Sequence, residues 1–186
     1  MRKIFLLTTL LIFLAACSKT DGNIEDYVHF NHSVPEFDGY ELALADVSPR
    51  KGNADSLSLY YYDESNIPSN RDTLSEAEKK EISEAYDIKA VYGSYSDYIY
   101  HRLHLYQQNK PFEDGLFGTI VTIDSHDFNY AKGDSDGEPI LIVQTEYNDT
   151  FYRMILFLDD EATDDEIEEM IGSYFSVVFE YEKTSH

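Results

Sequence analysis

The sequence of 186 residues contains a single cysteine, Cys17, and this scarcity limits both its chemistry and its stabilisation. One cysteine cannot form an internal disulfide, so the fold must be held by buried side chains and hydrogen bonds. Because Cys17 precedes the globular part of the chain, that part has no cysteine nucleophile and no thiolate metal ligand.

Basic residues are also scarce. The chain has 14 lysines and arginines against 36 aspartates and glutamates, which gives a formal net charge of −22. Such a field repels phosphate backbones and anionic lipid headgroups, and it favours cationic partners or divalent ions. We therefore exclude nucleic-acid binding and expect a cationic protein as the partner, although acidity also serves exported proteins as a solubility device.

Tryptophan is absent, whereas tyrosine occurs 16 times. The absence of tryptophan argues against a sugar-binding site, although tyrosine can take its place. Tyrosine suits a protein-binding surface because its two side-chain torsions limit the entropy lost on contact. The same residue is equally typical of ordinary β-strands.

The motifs of common enzyme classes are missing: the sequence has no G-x-S-x-G elbow, no P-loop and no dinucleotide-binding glycine fingerprint. A hydrolase that uses carboxylates, or a histidine couple such as His126 and Asp127, is the remaining catalytic interpretation. With so many acidic residues, some carboxylate pair always lies at glycosidase distance, so acidity does not test that chemistry. We expect a protein without enzymatic activity and without a cofactor.

Long hydrophobic runs are missing as well. The apolar stretch Ile4–Leu14 is shorter than the roughly 20 residues that span a bilayer core. Arg2 and Lys3 precede this stretch, and small residues follow it. This is the pattern of a secretory signal peptide, which we assign to residues 1–16.

The stretch Leu14-Ala15-Ala16-Cys17 resembles the lipobox of bacterial lipoproteins. The resemblance implies thioether lipidation of Cys17, cleavage before it, and acylation of the new amino group with a fatty acid such as palmitate. Two or three acyl chains, at about 0.8 kcal/mol per buried methylene, hold a domain firmly at a membrane. The expected membrane contact is therefore the amino-terminal lipid.

The residue after the lipidated cysteine bears on localisation. Ser18 stands where some Gram-negative lipoproteins have the aspartate that retains them at the inner membrane. The resemblance therefore implies the cell envelope, and the outer membrane if the host is Gram-negative. In a Gram-positive host it implies the outer leaflet of the only membrane.

The rest of the chain is long enough for one domain with a sizeable core. Residues 17–26 read as the lipidated cysteine and a polar tether, and residues 27–183 as a single globular domain. We predict an α+β fold with a mainly antiparallel sheet of about six to eight strands and two principal helices.

Several segments have strand character, by alternation or as continuous apolar runs: Tyr40–Asp46, Leu57–Tyr62, Leu116–Ile123, Ile140–Tyr147 and Phe151–Leu158. The last two flank the turn-forming residues Asn148-Asp149-Thr150. They therefore predict an antiparallel hairpin in the middle of the sheet.

Two helices have capping-box starts, Ser75 with Glu78 and Thr163 with Glu166. The first is predicted to end at Ala85 or Tyr86. In the second, an apolar stripe is followed by residues whose spacing fits either helix or strand. We predict a break at Gly172-Ser173 and then a strand over residues 174–181. A right-handed parallel crossover that makes the sheet mixed is the alternative.

The segment Tyr98–Tyr106 is the candidate recognition strand. If it is extended, one face carries Ile99, His101, Leu103 and Leu105, and the other carries Tyr98, Tyr100, Arg102, His104 and Tyr106. Tyrosine and arginine dominate binding hot spots, so the second face is the predicted binding face. An ordinary solvated strand with cross-strand tyrosine pairs explains the same residues.

The loop at residues 133–138 places Asp134 and Asp136 close together, which is a weak signal for calcium. EF-hand spacing fails, because Lys132 and Val143 occupy the first and last ligand positions. A glycine-rich acidic turn is the alternative interpretation.

Together these features predict an envelope-anchored acidic lipoprotein that acts as a non-catalytic protein-binding module, for example an inhibitor or immunity protein for a cationic partner. The alternatives are a carboxylate- or histidine-dependent hydrolase and a lipoprotein that binds calcium or a small ligand.

Overall fold

A computed structural model of the chain describes residues 24–66, 74–96, 101–114, 118–159 and 162–184. These ranges form one eight-stranded antiparallel sheet and two α-helices, which confirms the predicted α+β fold. Within them, neither helix is both long and apolar enough to cross a membrane. The predicted signal peptide and Cys17 lie outside the described residues.

The elements in chain order are β1 (Tyr40–Ser48), β2 (Ser56–Asp63), α1 (Glu76–Ala85), β3 (Lys89–Gly93), β4 (Leu103–Gln108), β5 (Thr119–Ile123), β6 (His126–Ser135), β7 (Glu138–Tyr147), β8 (Thr150–Phe157) and α2 (Asp164–Thr184). The strand order across the sheet is β3-β1-β2-β4-β8-β7-β6-β5, and neighbouring strands are antiparallel. Strands β4 and β8 therefore lie at the centre of the sheet, while β3 and β5 form its edges.

The predicted hairpin is confirmed as β7 and β8, which pair from Ile140 with Phe157 to Tyr147 with Thr150. The turn residues Asn148 and Asp149 have φ of 49° and 62°. A tight turn of this kind requires positive φ at both central residues, which asparagine and aspartate tolerate.

Helix α1 begins as predicted. Glu78 N donates to Ser75 Oγ at 3.3 Å, and Ser75 N donates to Glu78 Oε2 at 2.7 Å. The helix ends at Ala85, with Tyr86 as its carboxyl cap. The reciprocal bonds explain why this short, very polar segment is helical, because they satisfy backbone groups that a helix start leaves unpaired.

The prediction of a break and a strand after Gly172 is wrong, because α2 is one continuous helix of 21 residues. Its buried residues, Ile167, Ile171, Phe175, Val178 and Phe179, recur at helical spacing across the glycine. An ideal Cβ at Gly172 lies 3.4 Å from Ile123 Cγ2. Gly172 therefore marks a close approach of the helix to β5, and the parallel crossover does not form.

One face of the sheet is covered by α2 and holds most of the core. Aromatic rings fill this layer: Phe128 lies 5.1 Å from Phe175, and Tyr147 stacks on Phe179 at 4.1 Å between ring centroids. Burying such side chains contributes about 1.5–3 kcal/mol each. This burial stabilises the fold without the disulfide that the sequence lacks.

The amino-terminal segment runs between the sheet and α2. Ser33 N donates to Gln107 Oε1, and Gln107 Nε2 donates to Ser33 O, both at 2.7 Å and both fully buried. Ser33 Oγ also donates to Val178 O at 3.1 Å, and Tyr61 Oη donates to Pro35 O at 2.9 Å. These bonds fix the path of residues 33–37 across the core.

The opposite face of the sheet is covered by α1 only near β1 and β2. Leu44 and Tyr60 form a small core there with Tyr95, and Leu74 and Ile82 pack against it. The two helices thus lie on opposite faces of the sheet.

We expect Gly93→Ala to destabilise the protein more than Gly39→Ala does. Both glycines have positive φ, but an ideal Cβ at Gly93 lies 1.9 Å from Ala43 O in β1, whereas one at Gly39 meets nothing within 4 Å. The φ strain alone costs roughly 1–2 kcal/mol, and only Gly93→Ala adds a backbone clash. Urea unfolding measures both; equal losses contradict the close approach.

Candidate functional site

The predicted binding face is only partly described, because Tyr98 and Tyr100 lie outside the described residues. Arg102 is described and lies just before β4. Its guanidinium forms ion pairs with Glu138 at 2.8 Å and with Asp159 at 3.4 Å. Two carboxylates therefore already engage the charge of Arg102.

His104 lies on the predicted face but is enclosed by other rings. It stacks on Tyr60 at 4.2 Å between centroids, and its Nε2 is buried without a hydrogen-bond partner. Burial, followed by the charges of His101 and Arg153, lowers the pKa of His104 to about 3. His104 is therefore neutral at physiological pH.

His101 lies on the opposite face from the one predicted. Its ring is 6.1 Å from His104, 5.3 Å from Tyr60 and 5.5 Å from Phe157. Strand alternation fails for His101 because β4 begins only at Leu103.

Tyr106 lies beside a small cavity of about 370 Å³ between the sheet and the segment that follows β4. Phe112 in that segment is 5.8 Å from the Tyr106 ring and 4.3 Å from the Arg153 guanidinium. Asp114 Oδ1 accepts from Arg153 Nη2 at 2.7 Å, so this segment is tied to the sheet. The described part of the predicted face is therefore half-buried, and neighbouring side chains already contact its residues.

A larger groove lies along the amino-terminal half of α2, with a volume of about 610 Å³. One wall is the helix, and the other is formed by the end of the amino-terminal segment and the connection after β8. The floor is apolar, with Phe37, Leu158, Ala162, Met170, Tyr174 and Val177. The rim is acidic, with Asp38, Asp159, Glu166 and Glu169.

The rim carries negative charge that is only partly compensated, because Lys132 donates to Ala162 O at 2.8 Å and forms an ion pair with Asp164 beside the groove. Asp159 forms an ion pair with Arg102, which also pairs with Glu138. The described residues place no lysine or arginine within ion-pair distance of Asp38, Glu166 or Glu169. The backbone and hydroxyl of Thr163 bond to Glu166 and hold the pKa of its carboxyl below the ordinary value. The groove thus combines an apolar floor with ionised carboxylates.

The phenol of Tyr174 connects the groove to the sheet. Its ring lies 5.4 Å from Phe37, and its Oη donates to Tyr40 Oη at 3.4 Å. Burial, with this hydrogen bond, raises the pKa of Tyr174. Tyr174 is thus a fixed, uncharged wall of the groove.

Sequence reasoning missed this groove for two reasons. The groove brings Phe37 and Asp38 together with residues more than a hundred positions later in the chain. No local sequence pattern predicts such a contact. The prediction that residues 174–181 form a strand also removed Tyr174 and Val177 from the helix. The signal that could have found it is the helical spacing of Met170, Tyr174 and Val177 beside Glu166 and Glu169.

Of the weak calcium candidates, Asp134 lies near the end of β6 and Asp136 lies in the turn between β6 and β7. Asp134 Oδ1 accepts from Gly137 N at 2.9 Å, and Asp136 has φ of 56°. Both features are typical of aspartate in a tight turn. Among the residues described, no three histidine, cysteine or acidic side chains lie close enough to hold a metal ion.

The histidine couple of the hydrolase interpretation is divided between the faces of β6. The His126 ring packs 5.1 Å from Phe179 under α2, whereas Asp127 Oδ1 accepts from Thr122 Oγ1 at 2.7 Å. Neighbours in a strand point to opposite faces. The structure does not bring these two side chains together.

Asp46 is the one acidic residue among those described that is almost completely buried, with 3% of its surface exposed. It lies in β1 opposite Ser58 of β2 and forms hydrogen bonds with Tyr60 and Ser58. Burial raises the pKa of Asp46 to about 7, although these bonds partly oppose the shift. The folded protein therefore holds a proton at Asp46 that the unfolded chain releases near pH 4.

We expect Asp46→Asn to stabilise the protein at pH 8 and to have little effect at pH 4. Because the folded pKa is raised, the contribution of Asp46 to stability is fully present below pH 4 and is lost as pH rises to about 7. The difference is at most about 4 kcal/mol. Urea unfolding across this pH range measures it, with the exposed Asp26→Asn as control; a pH-independent difference contradicts the prediction.

Comparisons with protein-family models, with curated proteins and with solved structures found no match to this chain.

Proposed function

We propose that this protein is an envelope-anchored acidic lipoprotein whose folded domain is a non-catalytic module that binds a basic, amphipathic segment of a cationic protein. The observation that carries the proposal is the groove along α2, where ionised carboxylates surround an apolar floor. An inhibitor or immunity protein for a basic secreted enzyme is the version that fits anchoring and charge together.

The floor and the rim contribute in different ways. Apolar side chains on the floor favour a partner's apolar surface by about 25 cal/mol per Å² that is buried. The rim carboxylates are exposed, so they add little affinity each. They raise the rate of encounter with a cationic partner and set its orientation.

These contributions define the partner segment. An amphipathic helix that lays its apolar stripe into a groove, with lysines or arginines at the sides, meets both requirements. The net charge of −22 acts in the same direction over a longer range, because it attracts any strongly cationic protein.

The proposed lipid anchor determines where this module is found in the cell. Lipidation of Cys17, which the lipobox resemblance implies, concentrates the domain at the envelope surface. A cationic protein that reaches the envelope then meets many copies of the groove at once. Local concentration therefore compensates for modest affinity at each groove.

We expect the double variant Asp38→Asn, Glu169→Gln to bind a synthetic leucine–lysine amphipathic helix about threefold to tenfold more weakly at low salt, because two exposed charges are removed from the rim. Fluorescence anisotropy with the labelled peptide measures the change. High salt should reduce the difference between variant and wild type.

The matched control removes the same charge elsewhere. Glu41→Gln with Glu81→Gln changes two exposed residues that do not line the groove. Equal weakening by this pair means that only net charge matters. Failure of the wild type to bind the peptide at low salt, or equal binding of a leucine–glutamate peptide, contradicts the proposal.

We expect Cys17→Ser to abolish incorporation of labelled palmitate and to shift the protein from the membrane fraction to the soluble fraction of a bacterial host. The thioether requires the cysteine sulfur, so serine cannot replace it. Ser18→Ala is the control and should keep both label and membrane association. Membrane association of a Cys17→Ser chain that lacks both the label and residues 1–16 contradicts lipid anchoring.

A further inference from the structure

Strand β5 (Thr119–Ile123) forms an edge of the sheet. It pairs with β6 on one side, and the described part of the chain places no strand on its other side. An edge strand presents unpaired backbone N–H and C=O groups to any extended segment that can approach.

The two edges of the sheet differ in how they are protected. The opposite edge, β3, contains Lys89 and ends at Gly93, and its pairing with β1 is irregular between Ala45 and Asp46. Charges and bulges of this kind prevent edge-to-edge pairing. Strand β5 reads Thr-Ile-Val-Thr-Ile, without a charge or a proline, and its register with β6 is continuous.

An apolar side chain also projects from this edge. Ile120 is 70% exposed, and Tyr86 is the other large hydrophobic residue among those described that is similarly exposed. Val121 and Ile123 point to the other face and pack against the core under α2. One face of β5 is thus packed against the core, and the other face is open at Ile120.

We propose that β5 pairs with β5 of a second copy of this chain, antiparallel and about a two-fold axis at Val121. In this register Thr119 lies opposite the partner's Ile123, and Ile120 opposite the partner's Thr122. Every cross-strand pair joins β-branched residues, which pack well on a pleated surface. The result is a symmetric dimer with one sheet continuous across both copies.

Charge favours a second copy over the cationic partner at this edge. A lysine-rich segment gains no ion pair from five uncharged residues, whereas two acidic chains need a charge-free strip at which to meet. The nearby carboxylate of Asp127 belongs to β6 and is bonded to Thr122. Repulsion between more distant carboxylates is screened beyond about 8 Å at physiological salt.

The size of the edge sets the strength of the dimer. Five paired residues bury far less than the roughly 800 Å² per partner of a stable interface. We therefore expect a weak dimer that forms as concentration rises and strengthens with salt. Two copies anchored on one membrane meet at high effective concentration.

Sedimentation velocity of residues 18–186, which contain every described element, tests the dimer from low micromolar to submillimolar concentration. Ile120→Glu places like charges at the paired edge, and we expect it to raise the dimer dissociation constant at least about tenfold. Tyr86→Glu is the matched control, because it introduces the same negative charge at a similarly exposed hydrophobic residue, the carboxyl cap of α1. It should leave the dimer intact.

Amide hydrogen exchange of the unmodified chain provides a readout that needs no variant. We expect the amides of Thr119–Ile123 to exchange more slowly as concentration rises, while those of β3 do not change. A chain that stays monomeric throughout, unchanged exchange in β5, or a dimer that Tyr86→Glu weakens as much as Ile120→Glu, overturns the proposal.

Discussion

The pair of buried hydrogen bonds between Gln107 and Ser33 is the constraint on which the rest of the structure depends. A buried amide without partners costs about 1–3 kcal/mol, so Gln107 holds the amino-terminal segment in one register against β4. Ser33 is in turn bonded to α2 through Val178 O. Sheet, segment and helix are therefore fixed together at one place, and Phe37, four residues on, becomes part of the groove floor.

The cost of burying a charged side chain also determines where the charges of this protein lie. Nearly all the carboxylates of the described residues lie on the surface, where water solvates them, and aromatic rings fill the layer under α2. Asp46 departs from this rule, and its raised pKa shows that its hydrogen bonds do not offset the loss of solvation. The stability of the described domain therefore comes from the apolar layer rather than from buried charge.

The sequence predicts structure that neighbouring residues specify, and it fails where a contact with a distant residue determines the local structure. The capping box of Ser75 and the turn at Asn148-Asp149 specify their own backbone, so α1 and the β7–β8 hairpin were predictable. Gly172 reads as a break in isolation, but the proximity of Ile123 makes it a packing position within a helix. The groove was equally hidden, because its walls are distant in sequence and the predicted strand over residues 174–181 removes Tyr174 and Val177 from its helix wall.

The two proposed surfaces, the groove and the β5 edge, are expected to respond to ionic strength in opposite directions. Salt screens the attraction between rim carboxylates and a cationic segment, and it also screens the repulsion between two acidic copies. The two surfaces share no residue, since β5 contacts α2 at Gly172 and the groove is lined by Met170, Ser173 and Tyr174. A cationic partner that neutralises one copy also lowers its repulsion from the next copy. We therefore expect the proposed binding in the groove and the proposed pairing at the edge to reinforce each other, through charge and without a change of shape.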